Sequence, residues 1–250
     1  VTKSNGALRR RSGLGCPKRL KKRGCCDLPQ KKTAVTNEIY ASVKEQIVTM
    51  QLLPGQLLMV QHISDEHGIS RTPVREALVR LREENLLEDA DGRKFRVTQI
   101  TWKMISDIYD ARKAIEVYAA AEAAANIGKT QINALKKIVS AMERCCERRD
   151  FHTSFEYEMA FHNKILEICG NQVIINWMNW VRDQQQRIRY LSVGSDSRME
   201  NSLLEHREIL NRIELHDPEG AKVAIAQHLD RSLRDILKLR EQGFLFHHRL

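Results

Sequence analysis

Gly68-Ile69-Ser70-Arg71-Thr72-Pro73-Val74-Arg75-Glu76-Ala77-Leu78 holds a helix start whose signals agree with one another. Ser70 or Thr72 supplies a capping oxygen, and Pro73 is tolerated only in a first helical turn. Val74, Ala77, Leu78 and Leu81 then recur at i, i+3, i+4 and i+7, one apolar stripe of an amphipathic helix. Gly68 closes a short helix predicted over about 61–67. Upstream, a helix is predicted to begin near Val35 with Asn37 as its N-cap. Its apolar face is Ile39, Val43, Ile47, Val48 and Met50, and Pro54-Gly55 stops it. Downstream lie two short apolar segments, Leu86-Leu87-Glu88 and Phe95-Arg96-Val97, with the hairpin signal Asp91-Gly92 between them. Three helices followed by a small β-hairpin wing make a winged helix-turn-helix over residues 35–100.

With the apolar stripe turned to the core, Thr72 and Arg75 project from the opposite side near the helix start, and Arg71 stands at the border. A recognition helix reaches base edges with that end, and its free N–H groups meet phosphate there. The arginine fork suits guanine O6/N7 or a phosphate. The same composition also describes a solvated arginine-rich face. At these residues the chain resembles the DNA-binding domain of GntR-type transcriptional regulators, over roughly residues 36–100. The resemblance implies that Arg71, Thr72 and Arg75, with Ser70 beside them, contact double-stranded operator DNA, and that Gly92 sits at the wing tip. Gln61 stands where related members often carry an arginine, and Asn85 where a glycine is common.

From Thr101 the pattern changes. The remaining 150 residues hold one proline, Pro218, and five glycines, and the apolar period is helical throughout. Six helices are predicted, at about 102–126, 130–149, 151–169, 171–192, 196–215 and 218–241. Their breaks fall at Gly128, Asp150, Gly170, Gly194-Ser195 and His216-Asp217-Pro218. The fold class is therefore mostly α, with an all-helical bundle filling residues 101–250.

Ionisable residues interrupt the apolar seams of that bundle. Phe155, Glu158, His162, Ile165 and Cys169 share one face, Leu203, His206, Leu210 and Ile213 another, and His228 flanks Ile225 and Leu229. Arg112 interrupts Ile105, Ile108, Ile115 and Ala119. Buried ionisable groups are costly unless paired or metal-bound, so four on four helices suggest a shared polar pocket. Separate satisfied core histidines and a structural ion pair would account for them one by one. Glu158 and His162, one turn apart, could chelate a single ion, and His206 and His228 would complete the set. Imidazole with one carboxylate suits a divalent transition metal: zinc or nickel first, with manganese, cobalt or iron compatible. His152, His216, His247 and His248 match no motif and read as surface residues.

Glu158-Met159-Ala160-Phe161-His162, Gly170-Asn171, His206 and His228 together are similar to the FCD ligand-binding domain of the FadR subfamily of GntR regulators. Arg112 in Ala111-Arg112-Lys113-Ala114-Ile115-Glu116 matches that domain's opening helix. The resemblance covers about 102–240. It implies a metal held by the carboxylate and three histidines, with a small organic-acid effector completing its shell and Arg112 as the effector's anion partner. The family usually has Asp or Asn where Glu158 stands.

Composition narrows the alternatives. The chain has 250 residues, 42% hydrophobic and 29% charged, with only 12 Gly and 5 Pro, which argues against a turn-rich all-β protein. No run approaches the ~18 apolar residues of a membrane span, and the N-terminal stretch lacks a signal-peptide core. A cytoplasmic protein is the expectation. The net charge of +9 is concentrated in residues 1–34, where eleven basic side chains face Asp27 alone. That tail reads as a solvated, disordered extension or as a basic arm attracted to phosphate; the chain opens on Val1, so it could also lie outside the natural protein. Cys16, Cys25, Cys26, Cys145, Cys146 and Cys169 lack C-x-x-C spacing, so reduced structural thiols are expected.

Taken together these features predict a metabolite-responsive, DNA-binding homodimer that is not an enzyme. One winged helix reads a half-site, so a two-fold operator asks for two copies. Trp177 and Trp180 are candidates for burial between subunits. The rivals are a metal-independent sensor of an acyl ligand and a metal-dependent hydrolase, although no H-E-x-x-H is present.

Overall fold

The computed structural model describes residues 28–91, 94–191 and 196–241, so most of the basic tail, Gly92 and the Gly194-Ser195 break lie outside the described residues. Helix α1 (Leu28–Val48) starts seven residues earlier than the Val35 expected. Asn37 is consequently inside the helix rather than its N-cap, and its side-chain oxygen accepts a 2.7 Å bond from Arg80. Nothing in residues 28–34 breaks a helix after Pro29, and the apolar stripe that marks helices in sequence begins only at Ile39.

Strand β1 (Leu57–Met59), α2 (Val60–His67), α3 (Arg71–Glu83), β2 (Leu87–Asp89) and β3 (Lys94–Val97) follow. The wing is more than the predicted hairpin. β3 lies between β1 and β2, antiparallel to both, with Leu58 opposite Phe95 and Glu88 opposite Arg96. A three-residue strand is too short to show period-two alternation, which is why β1 had no signal in the sequence. Gly68 ends α2 in the left-handed region at φ +63, and Asn85 takes φ +55 before β2. Glycine is at ease there and asparagine tolerates it, which accounts for Asn85 at a glycine-like position. Ile39, Val43, Ile47, Val74, Leu78, Leu81, Phe95 and Val97 form this unit's core.

The helical half matches the predicted bounds to within a residue: α4 (Trp102–Asn126), α5 (Lys129–Arg148), α6 (Phe151–Cys169), α7 (Gln172–Leu191), α8 (Asp196–Glu214) and α9 (Pro218–Glu241). Each described break carries a local reason. Thr101 Oγ1 accepts from Met104 N–H, and Asp150 Oδ1 accepts from Thr153 N–H. Gly170 takes φ +72, and Asp217 Oδ1 accepts from Gly220 N–H. Helix α4 is the central staff, packed on α9, α6, α7 and α8. Its alanine-rich second half, with Ala119, Ala120, Ala123 and Ala124 buried, lets neighbours approach closely. Phe161, Ile165, Ile209, Ile213 and Ile225 complete the core around it. None of the described helices is long and apolar enough to cross a membrane.

Helix α7 fastens the two cores together. Trp180 Nε1–H donates to the Glu84 carbonyl at 2.6 Å, and Asp183 pairs with Lys44 at 2.7 Å. Arg187, wholly buried, donates to Thr98 O and Thr98 Oγ1. Burial lowers its pKa to about 10. Trp180 therefore serves the junction within one chain, whereas Trp177 is 66% exposed. Phe161→Ala removes a fully buried ring from the bundle and should cost about 3–5 kcal/mol, read as a lowered urea midpoint of the helical domain.

Candidate metal centre and nucleic-acid interface

In the winged unit, Ser70, Arg71, Thr72 and Arg75 are all exposed on one end of α3, with Ser70 in extended N-cap conformation. Pro73, Val74, Ala77, Leu78 and Leu81 are buried on the opposite face. The first turn of α3 thus carries two arginines one turn apart beside backbone N–H groups that the Ser70 side chain does not cap, contrary to the capping oxygen expected from the sequence, a surface suited to phosphate and base edges. Gln61 lies exposed on α2, donating to Asp65.

In the bundle, α6, α8 and α9 bring His162, His206 and His228 together. All three are buried, and they are the only group among the described residues whose metal-ligating atoms all lie within 4.8 Å of one another. His162 Nε2 is 3.2 Å from His228 Nε2 and 3.3 Å from His206 Nε2. Phe161 stands edge-on to the His206 and His162 rings, with its centroid 5.0 and 6.1 Å from theirs. Three imidazole nitrogens about 2.0–2.1 Å from one ion at tetrahedral angles would be about 3.3 Å apart, so spacing and donor chemistry both fit a divalent transition metal. Burial, with the neighbouring imidazoles, lowers the His206 pKa to about 4 and holds that of His228 well below its ordinary value.

The opposite ring nitrogens face acceptors. His206 Nδ1 bonds to the Ser202 carbonyl at 2.7 Å and His228 Nδ1 to Glu205 Oε2 at 2.8 Å, whereas His162 Nδ1 lies 2.6 Å from Glu116 Oε2 as a close ion-pair approach that leaves both atoms without a hydrogen bond. Glu116 and Glu205 went unnoticed in the sequence. Glu116 had a signal: one helical turn after Arg112, it is the position that can neutralise a buried arginine. Glu205, adjacent to His206, had none, because its role depends on how α9 packs against α8.

The structure places the other sequence-nominated groups differently from one another. Glu158 stands outside the histidine convergence, accepting a 2.8 Å bond from Ser202 Oγ. Arg112 is buried, and its Nε donates to Glu116 Oε1 at 2.7 Å, while its Nη2 has no hydrogen-bond partner. Burial opposes ionisation of Glu116, but Arg112 and His162 outweigh it and hold the carboxyl at about 2. Glu205 is raised by burial, against the pull of Arg198 and Arg231, and it opens onto a cleft of about 650 Å³ between α8 and α9. His152 and His216 are exposed, as expected, with His216 Nδ1 2.9 Å from the Ala124 carbonyl; His247 and His248 lie outside the described residues.

Residues 35–97 match the family described as bacterial regulatory proteins, gntR family, and residues 107–231 match the FCD domain family. The chain belongs to the GntR family of transcriptional regulators that carry an FCD domain, and it is a regulator rather than an enzyme. It is 26% identical to the HTH-type transcriptional repressor RspR of Escherichia coli over 84% of this chain and 92% of that one. It is 25% identical to the HTH-type transcriptional regulator YdhC of Bacillus subtilis, over 82% and 92%. In fold it is similar to E. coli McbR/YncC, with a TM-score of 0.69 at 21% identity over 82% of this chain and 98% of that one. A GntR regulator from Rhodococcus sp. RHA1 gives 0.68 at 18% identity, over 82% and 98%.

The buried Arg112–Glu116 pair yields a double-mutant test. Glu116→Ala strands a buried guanidinium and should cost about 3–5 kcal/mol, and Arg112→Ala a similar amount. The double variant should cost clearly less than the two singles together, measured by urea unfolding of the metal-free protein.

Proposed function

We propose that this chain is a metabolite-responsive member of the FadR subfamily that binds operator DNA as a homodimer and works in the cytoplasm. Residues 35–100 form its DNA-reading unit and residues 101–250 its sensing unit. The convergence of three buried imidazole nitrogens, 3.2 and 3.3 Å apart where measured from His162, carries this reading.

His162, His206 and His228 would hold a divalent transition metal, zinc or nickel first, and Glu158 would join them by turning its carboxylate from Ser202. The bound ion would supply Lewis acidity toward a small organic-acid effector. Arg112, with its Nη2 free of other bonds, would neutralise the acid's charge, since a guanidinium stays charged and matches carboxylate geometry. Phe161 keeps apolar surface against the imidazoles. Helix α7, which holds both units, is the path by which a change among α4, α6, α8 and α9 would alter the spacing of two winged helices in the dimer. An effector acts as a switch only if it binds one spacing better than the other. On DNA, Arg71, Thr72 and Arg75 would read or clamp the major groove, with Ser70 at the helix start and Gly92 at the wing.

Elemental analysis of untagged protein prepared without chelators should give close to one transition-metal ion per chain. His206→Ala and His228→Ala should each lose metal and effector response together while still binding DNA without effector. Less than about a tenth of an equivalent, with no uptake of added Zn, Ni or Mn, would leave a metal-free acyl-ligand sensor instead. Arg71→Ala and Arg75→Ala should each weaken binding to a selected operator by about 1–3 kcal/mol in fluorescence anisotropy if a bidentate base contact is lost. Wild-type affinity in both variants overturns the recognition-helix assignment, and a strictly monomeric species in light scattering, with and without operator, overturns the dimer.

A further inference from the structure

The two carboxylates that the sequence did not single out sit behind the histidines in one recurring order. Arg112 Nε donates to Glu116 Oε1, and Glu116 Oε2 lies against His162 Nδ1. On the other side of the cluster, Arg198 and Arg231 approach Glu205 at 3.3 and 3.6 Å, and Glu205 Oε2 lies against His228 Nδ1. The third imidazole has no carboxylate behind it and uses the Ser202 carbonyl. An ionised carboxylate and a carbonyl oxygen only accept hydrogen bonds, so His206 and His228, which bond to one each, carry their proton on Nδ1, and the 2.6 Å approach of the Glu116 carboxylate favours the same tautomer at His162. A neutral ring with Nδ1–H has a bare lone pair on Nε2. With His162 in the same tautomer, the bare Nε2 lone pairs of His228 and His206 face that of His162 across 3.2 and 3.3 Å, an arrangement that repels in the absence of a proton or a cation between them.

We infer that Glu116 and Glu205 are positioning residues: they select the Nδ1–H tautomer of His162 and His228 and so aim the Nε2 lone pairs at a cation before any cation arrives. The inference rests on the metal site proposed above and deepens it. Carboxylates placed behind metal-bound imidazoles fix ring orientation and raise ligand basicity, and losing one costs about 10–100-fold in metal affinity. The two arms differ in setting. Glu116 is sealed in the core with Arg112, the proposed effector partner, so an acid seated on Arg112 would act on a metal ligand through two consecutive contacts. Glu205 borders the α8–α9 cleft, so its arm is open to solvent at the far end. Metal and effector affinities should therefore be coupled, each raising or lowering the other by the same factor.

The test has one arm without metal and one with it. In the first, long-range proton–nitrogen NMR correlations of the metal-free full chain, labelled at the imidazole nitrogens, should show His162 and His228 protonated on Nδ1 and bare on Nε2. Glu205→Met, similar in shape but without an acceptor, should release His228 into a mixture of tautomers and leave His162 unchanged. Glu205→Gln keeps an acceptor and should keep the tautomer. In the second arm, zinc affinity by chelator competition should fall about 10–100-fold in Glu205→Met and in Glu116→Met, which both lack an acceptor. It should stay within about threefold in Glu208→Gln, which removes an exposed charge from the same helix. Of the two carboxylates it is Glu116 that pairs with Arg112, so the Glu205 variants keep the test informative if Glu116→Met fails to fold. Wild-type protein with either imidazole protonated on Nε2, or Glu205→Met with unchanged tautomer and zinc affinity, overturns the positioning role alone. Wild-type protein with the expected tautomers that takes up no zinc overturns the metal site and the positioning role with it.

Discussion

A buried guanidinium needs a partner, and in this chain that need organises the helical domain. Arg112 is almost fully inside the bundle on α4, and Glu116, one turn later, neutralises it. The carboxylate has two oxygens, and the second meets His162 on α6. His162 in turn sits against His206 of α8 and His228 of α9. One intrahelical pair thus extends into a polar chain touching four helices around an otherwise apolar core. Such a chain favours one helix arrangement over its neighbours, because sliding any helix by a turn would strand a charge or an imidazole in low dielectric.

The same cluster gives the bundle a property that an all-apolar core would lack. The hydrophobic effect is non-directional, whereas imidazoles with acceptors beside their outer nitrogens prefer particular orientations. In the proposed function, a ligand placed among them would change which arrangement of α4, α6, α8 and α9 is preferred. The junction at α7 would carry that preference outward. Trp180, Asp183 and Arg187 grip a carbonyl, a lysine and a threonine of the winged unit through directional bonds, and Arg187 does so without a carboxylate to offset its burial. The seam between the units thus adds directional polar bonds to the apolar packing of Met50 and Ile100 on the bundle core.

Local signals along the chain determined the element types and most of their bounds. Pro73, Gly68 and the Val74/Ala77/Leu78/Leu81 stripe were enough for the recognition helix, and Thr101, Asp150, Gly170 and Asp217-Pro218 for the ends of the bundle helices. Capping and periodicity act within a few residues, so they are written in the order of the chain. Polar interruptions of apolar seams likewise nominated His162, His206, His228 and Arg112. Tertiary structure decided the rest: that β1 joins the wing, that α1 begins at Leu28, that Trp180 serves the domain junction, and that Glu116 and Glu205, rather than Glu158, touch the imidazoles. Those outcomes depend on which residue of a distant segment arrives opposite, at separations such as 46 residues for Glu116 and His162, and helical period carries no information about that.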